Sequence, residues 1–170
     1  MWGRVARESY MGEIVKLASH RSLRRDTGDR ESVREFLGVM LAGQAYGVEL
    51  TRIREILSPP PLTPVPRASQ HIKGVCSVRG QLVTVIDLRS RLRLVEASPT
   101  RKTRILLTEN AGEVVGLYVD EVRHVLRLTE SEIEPATGVF GSDVSEHVIG
   151  IGRPPGHVLV LLDLNSVVPR

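Results

Sequence analysis

The second half of this chain repeats the first, and no other feature constrains its fold as tightly. Phe36-Leu37 through Gly43-Gln44 returns as Ile105-Leu106 through Gly112-Glu113, 69 positions later. The same offset lays Gly47-Val48-Glu49-Leu50 on Gly116-Leu117-Tyr118-Val119 and Ile53-Arg54-Glu55-Ile56-Leu57 on Val122-Arg123-His124-Val125-Leu126. After a slip of seven residues, Gly74 matches Gly150, Gly80 matches Gly156, and Ile86-Asp87-Leu88 matches Leu162-Asp163-Leu164. Glycine recurs in such a pattern because turns need positive φ or close backbone approach. Two copies of a roughly 60-residue, five-strand unit are implied, each small to stand alone. The expected fold is mainly β, two five-stranded barrels sharing one hydrophobic core, with short helices.

Local signals agree with strands. Phe36–Leu41 is an apolar run closed by Gly43-Gln44, with Tyr46-Gly47-Val48 beyond it, which predicts a hairpin. Val48–Leu57 reads as a short helical or bent segment. The prolines between 59 and 66 forbid regular ladder pairing and predict an extended connector. Gly74–Val78 and Gln81–Leu88 form a second strand pair around Arg79-Gly80. Apolar residues make up 41% of the chain but aromatics only 4%, so the interior must be built from Val, Ile and Leu.

Residues 1–34 differ from the rest and predict a basic, flexible N-terminal extension to a single domain at 35–170. The extension carries eight basic and five acidic residues, which accounts for the whole net charge of +3. Met11, Ile14, Val15 and Ala18 allow a short amphipathic helix there, and 20–34 lack apolar content. A neutral body with two Phe and three Tyr lacks the basic, aromatic face of a nucleic-acid binder. No apolar run reaches the length of a membrane span, and no signal core is present, so a cytoplasmic protein without membrane insertion is expected.

A search for chemistry predicts no enzyme, no cofactor and no metal site. Cys76 is the one cysteine, which excludes an internal disulfide and a thiolate zinc cluster. Together with His71 and Asp87 it could suggest a thiol nucleophile, but its place between Val75 and Ser77 reads as a small buried hydrophobe. The five histidines lack metal-ligand spacing. Asp87 and Asp163 recur at strand ends, where a capping role is expected. Glu55 among Ile53, Ile56 and Leu57, and Arg79 before a turn glycine, read either as two solvated side chains at element ends or, more sharply, as a polar pair at the lip of an apolar groove, as in protein-binding hot spots.

The motifs resemble those of the CheW family. Glu35-Phe36-Leu37, Tyr46-Gly47-Val48, Ile53-Arg54-Glu55-Ile56, Pro64-Val65-Pro66, Ile72-Lys73-Gly74-Val75, Val78-Arg79-Gly80 and Val85-Ile86-Asp87-Leu88-Arg89 follow its pattern in order. Val115–Val122, Gly150-Ile151-Gly152 and Val160–Leu164 continue it. The resemblance implies two SH3-like β-barrels and a non-enzymatic adaptor of bacterial chemotaxis, recruited to receptor arrays. It implies coupling of the cytoplasmic tip of methyl-accepting chemoreceptors to the regulatory domain of a CheA-type histidine kinase. Receptor contact then falls on Ile53, Glu55, Val78, Arg79 and Gly80, and kinase contact on apolar barrel ends. Ser77 stands where the family usually has Asn, and the N-terminal extension is longer than the pattern requires.

Overall fold

The computed structural model describes residues 31–137 and 146–168. The amphipathic helix and flexible stretch expected in the extension lie outside the described residues, apart from its last few positions. Strand β1 (Val33–Leu41) starts inside the extension, with Val33 and Arg34 paired to Thr129 and Leu128. Arg34 also bonds Glu49 at 2.5 Å and lies over the Phe36 ring, so it belongs to the folded body.

After β1 come β2 (Gln44–Glu49), a single helical turn at Leu50–Arg52, and β3 (Ile53–Leu57). The segment expected to be helical or bent is thus bent only at its start. Ile53 and Ile56 are β-branched and find the edge of a sheet to pair with. Next are β4 (Ile72–Val78), β5 (Gln81–Asp87) and the short helix α1 (Leu88–Arg91). The second half supplies β6 (Arg104–Asn110), β7 (Glu113–Val119), β8 (Glu121–Thr129) and β9 (Ile133–Pro135). It then gives β10 (Val148–Gly152), β11 (Leu159–Leu162) and helix α2 (Leu164–Val167).

Three hairpins share one turn chemistry. Ala42-Gly43, Arg79-Gly80 and Ala111-Gly112 all have positive φ at both central residues, as two-residue type I′ turns require. The first turn therefore sits one residue earlier than Gly43-Gln44, because Gln44 already pairs with Leu41.

Each barrel takes strands from both repeats, so the two barrels are related by the repeat through an exchange of strands. One sheet runs β3-β6-β7-β5-β4 and the other β8-β1-β2-β11-β10-β9. The first two strands of each repeat lie in the sheet of the other. The exchange preserves register. In the parallel pairs, Tyr46 faces Val160 and Gly47 faces Leu161, while Val115 faces Thr84 and Gly116 faces Val85. In the antiparallel pairs, Phe36 meets Leu126 and Leu37 meets Val125, while Ile105 meets Leu57 and Leu106 meets Ile56. Every partner shifts by the offset its repeat dictates. Neither half can bury its strands without the other, so the two fold as one unit.

The first barrel closes on Cys76, Val83, Val85, Ile105, Leu107 and Tyr118, and the second on Phe36, Leu128, Leu159 and Leu161. Apart from Tyr118 in one and Phe36 in the other, these interiors are mainly aliphatic, as the composition predicts. A covering segment guards β4: Thr63 exchanges backbone bonds of 2.8 and 2.9 Å with Val75. β9 does the same for β10 at Gly150 and Pro135. A Cβ on Gly74 would stand 2.7 Å from the Thr63 carbonyl oxygen, and one on Gly150 would crowd the Glu134 carbonyl. Close approach explains why both glycines recur.

Candidate protein-binding site

Glu55 and Arg79 meet. Arg79 Nη1 and Nη2 donate to the two Glu55 carboxylate oxygens at 2.7 and 2.5 Å, a bidentate pair. Glu55 lies on β3 and Arg79 in the turn after β4, the two edge strands of the same five-stranded sheet. The pair therefore spans the rolled sheet's two edges. A bulge between Ile53 and Glu55 in the pairing with β6 alters where the Glu55 side chain is aimed. Arg79 takes the first position of a type I′ turn, with φ of 50°, and Gly80 takes the second.

The other expected contact residues surround this pair along the chain. Val78 ends β4 opposite Gln81 and packs against the first barrel's core. Ile53 opens β3 opposite Thr108 and is half-buried. Glu55 is mostly covered, whereas the Arg79 side chain is 76% exposed. An ion pair with one partner so exposed contributes about 0–1 kcal/mol to the fold. The repeat sharpens this. At the equivalent positions of the second half stand His124 and Pro155. Pro155-Gly156 there makes a different turn, closed by the His157 N–H on the Pro154 carbonyl at 3.0 Å. The fold makes the hairpin in both halves but builds this ion pair in the first.

The repeated acids do structural work in both halves. The Asp87 carboxylate accepts the Arg89 N–H at 3.0 Å and the Asp163 carboxylate accepts that of Asn165 at 2.9 Å, capping α1 and α2. Asp87 also accepts Lys73 Nζ at 2.8 Å, and that ammonium lies over the Tyr118 ring. The backbone N–H of Asp87 donates to the His71 carbonyl and that of Asp163 to the His147 carbonyl, both at 2.8 Å. His71 and His147 are themselves 76 residues apart, a repeat that the apolar pattern concealed. Cys76 is buried, and burial pushes its thiol pKa up, away from the reactive thiolate.

Two features escaped the sequence reading. Arg89 makes a bidentate pair with Asp120 at 2.7 and 2.5 Å. Leu82 and Val158, equivalent by repeat, stand 74% and 64% exposed where β5 and β11 begin. Alternation along β5 could have found Leu82, since Val83, Val85 and Asp87 set the inward face. The Arg89–Asp120 pair joins residues 31 positions apart, beyond the reach of any local pattern.

Known proteins resemble this chain along most of its length. The CheW-like domain family model matches residues 35–170. The chain is 31% identical over 144 residues to the chemotaxis protein CheW of Bacillus subtilis, covering 85% of this chain and 92% of that protein. It is 29% identical over 136 residues to the CheW of Rhizobium meliloti, covering 80% and 88%. The crystal structure of the scaffolding protein TtCheW from Thermoanaerobacter tengcongensis superposes with a TM-score of 0.72 at 25% identity, covering 80% of this chain and 92% of that one.

Proposed function

The chain belongs to the CheW-like domain family, and from that premise we propose that it is a non-enzymatic adaptor coupling chemoreceptors to a CheA-type histidine kinase, with Glu55 and Arg79 at the receptor contact. The observation that carries the site is the bidentate Arg79–Glu55 pair, open to solvent on its arginine side and without a counterpart in the second half. A charge pair that the fold does not need, flanked by Ile53 and Val78, has the composition of a binding hot spot. Its occupant is the cytoplasmic tip of a methyl-accepting chemoreceptor. Residues 53, 55, 78, 79 and 80 form the contact, and the body from 33 onward acts as one domain.

The kinase's regulatory domain takes a different surface, the apolar barrel ends. Leu82 and Val158 support that reading, because each half presents an exposed aliphatic side chain at the same place. Non-enzymatic action is consistent with the state of the polar groups. The Cys76 thiol is buried, and the Asp87 carboxylate is committed to Lys73 and the α1 cap. Among the described residues no helix is long and apolar enough to cross a membrane. Work on the cytoplasmic side, within receptor arrays, follows from the partners.

Separate binding assays with purified receptor fragment and purified kinase test the assignment. Arg79→Ala should weaken receptor binding by roughly 2 kcal/mol while kinase binding survives. Charge reversal at Glu55 should do likewise, and a double-mutant cycle should return a non-zero coupling energy. Equal loss of both partners would instead mean that the pair only supports the barrel.

A further inference from the structure

Charge in the folded body is segregated. Residues 89–104 hold six basic side chains, Arg89, Arg91, Arg93, Arg101, Lys102 and Arg104, against one acid, Glu96. Residues 35–170 carry fifteen charges of each sign, so the body outside this segment has nine basic and fourteen acidic residues. A body that is neutral in sum therefore carries a local excess of positive charge in this segment.

Part of this charge is used internally. Arg89 grips Asp120, and Arg91 donates to the Ser166 and Val167 carbonyls of α2 at 2.9 Å each. Arg104 donates to the carbonyls of Arg101 and Thr103. Lys102 faces Glu121 at a loose 3.5 Å. Arg93 and Arg101 are exposed, and neither guanidinium has a hydrogen-bond or ion-pair partner among the described residues.

The loop that carries them is pinned. Arg89 Nη1 donates to the Val95 carbonyl at 2.6 Å, and the Leu94 N–H donates to the Arg89 carbonyl at 2.8 Å. The N–H groups of Thr100 and Lys102 are satisfied by the hydroxyls of Thr103 and Thr100. Between the two free arginines Val95 stands 81% exposed. Arg93 itself has φ of +57° just past the end of α1, where glycine is the favoured residue because a Cβ is crowded. A merely solvated charge gains nothing from that position. A charge that must be presented at a fixed point does.

We propose that residues 93–104 form an electrostatic docking surface for a protein partner with clustered carboxylates, Val95 supplying its apolar contact. Exposed arginine beside an aliphatic side chain is the composition of protein interfaces. The segment has no aromatic residue on which a base could stack, which disfavours nucleic acid. The N-terminal extension is basic in sum as well, which disfavours it as the occupant. The inference shares with the proposed function only the premise that this chain binds proteins. It concerns other elements than β3 and the β4–β5 turn.

Titration of the full chain with a short oligoglutamate peptide, followed by NMR at low salt, is the first test. Saturable shifts confined to amides of 93–104 are expected. Shifts confined to 1–34, or none, overturn the proposal. With purified kinase and receptor fragment, the double variant Arg93→Glu with Arg101→Glu should weaken one partner roughly tenfold and flatten its salt dependence. Arg93→Gly should raise the melting temperature yet weaken the same partner, a combination that a structural role cannot give. Unchanged affinity in both variants overturns the surface. Salt-sensitive self-association abolished by the double reversal would assign the carboxylates to a second copy and overturn the partner named here. If the wild-type chain binds neither protein, the adaptor reading fails, while the oligoglutamate titration still decides this one.

Discussion

Arg89 and Asp120 join the two sheets through one carboxylate. Arg89 Nε and Nη2 donate to its two oxygens, and the same group accepts the Ala42 N–H at 2.8 Å from the β1–β2 turn. Arg89 is on α1, after β5 of the first sheet, and Asp120 lies between β7 and β8, which belong to different sheets. Its own N–H donates to the Met40 carbonyl at 3.2 Å. Asp120→Ala would leave a largely covered guanidinium with the Val95 carbonyl but no counter-charge, and the Ala42 N–H without its carboxylate acceptor. It should cost about 2 kcal/mol of unfolding free energy, read from urea melts. Hydrogen exchange should quicken first at Ala42. A melt indistinguishable from wild type would show that the junction holds without this carboxylate.

Thr108 offers the opposite change. Its hydroxyl is fully buried and finds no hydrogen-bond partner. The repeat places Val39 at the equivalent position of β1, also fully buried. Thr108→Val keeps the shape and removes an unsatisfied polar group, so it should stabilise the protein by about 1 kcal/mol. Differential scanning calorimetry reads this as a higher Tm. A fall in Tm would mean that the hydroxyl is satisfied in solution.

The repeat and the turn glycines made the hairpins and the capping aspartates legible, because each depends on a few neighbouring residues, whereas β9, the sixth strand of its sheet, was not foreseen. Arg79-Gly80 was readable as a turn and Asp87 as a cap for that reason. The exchange of β1 and β2 with β6 and β7 was not readable. A repeat tells which segments are alike, and both the exchanged and unexchanged pairings give each strand the same kind of neighbour. The same limit applies at the site. Charges amid apolar residues suggested Glu55 and Arg79 as a polar pair, but the bidentate geometry that joins β3 to the turn after β4 depends on how the sheet rolls.

Stability should fall in mild acid. Burial lowers the pKa of both His71 and His147, and the Arg91 cation adds to the effect in each case. For His147 these causes outweigh the Glu146 carboxylate 3.6 Å from Nε2. A histidine with a lowered folded pKa binds fewer protons folded than unfolded. Its penalty is absent above the unfolded value of about 6.5, grows as pH drops below it, and levels off below the folded pKa. Urea melts from about pH 7.5 to 5 should show that slope, and it should be shallower in His147→Gln. Parallel slopes for variant and wild type would place the acid sensitivity elsewhere.

Arg79 can be removed without harming its turn. The first position of a type I′ turn favours Asn, which tolerates positive φ better than Arg does, and Asn-Gly is the preferred pair there. Arg79→Asn should therefore hold or raise the melting temperature while deleting both bonds to Glu55. That separates the two roles which Arg79→Ala leaves entangled, since alanine both strains the turn and removes the charge. Glu55, mostly covered and no longer paired, would then resist desolvation by an incoming partner. Receptor binding should drop by roughly 2 kcal/mol in the Asn variant, with kinase binding unchanged. Restoring Arg79 while substituting Glu55→Gln should give a smaller loss, because the amide still accepts a hydrogen bond from Arg79 and has no charge to strand. Isothermal titration against each purified partner, beside a thermal melt of each variant, reads all of these together. An Asn variant that melts at or above wild type and still binds receptor normally would show that the ion pair is ornament to the barrel, and the receptor contact would have to be sought elsewhere.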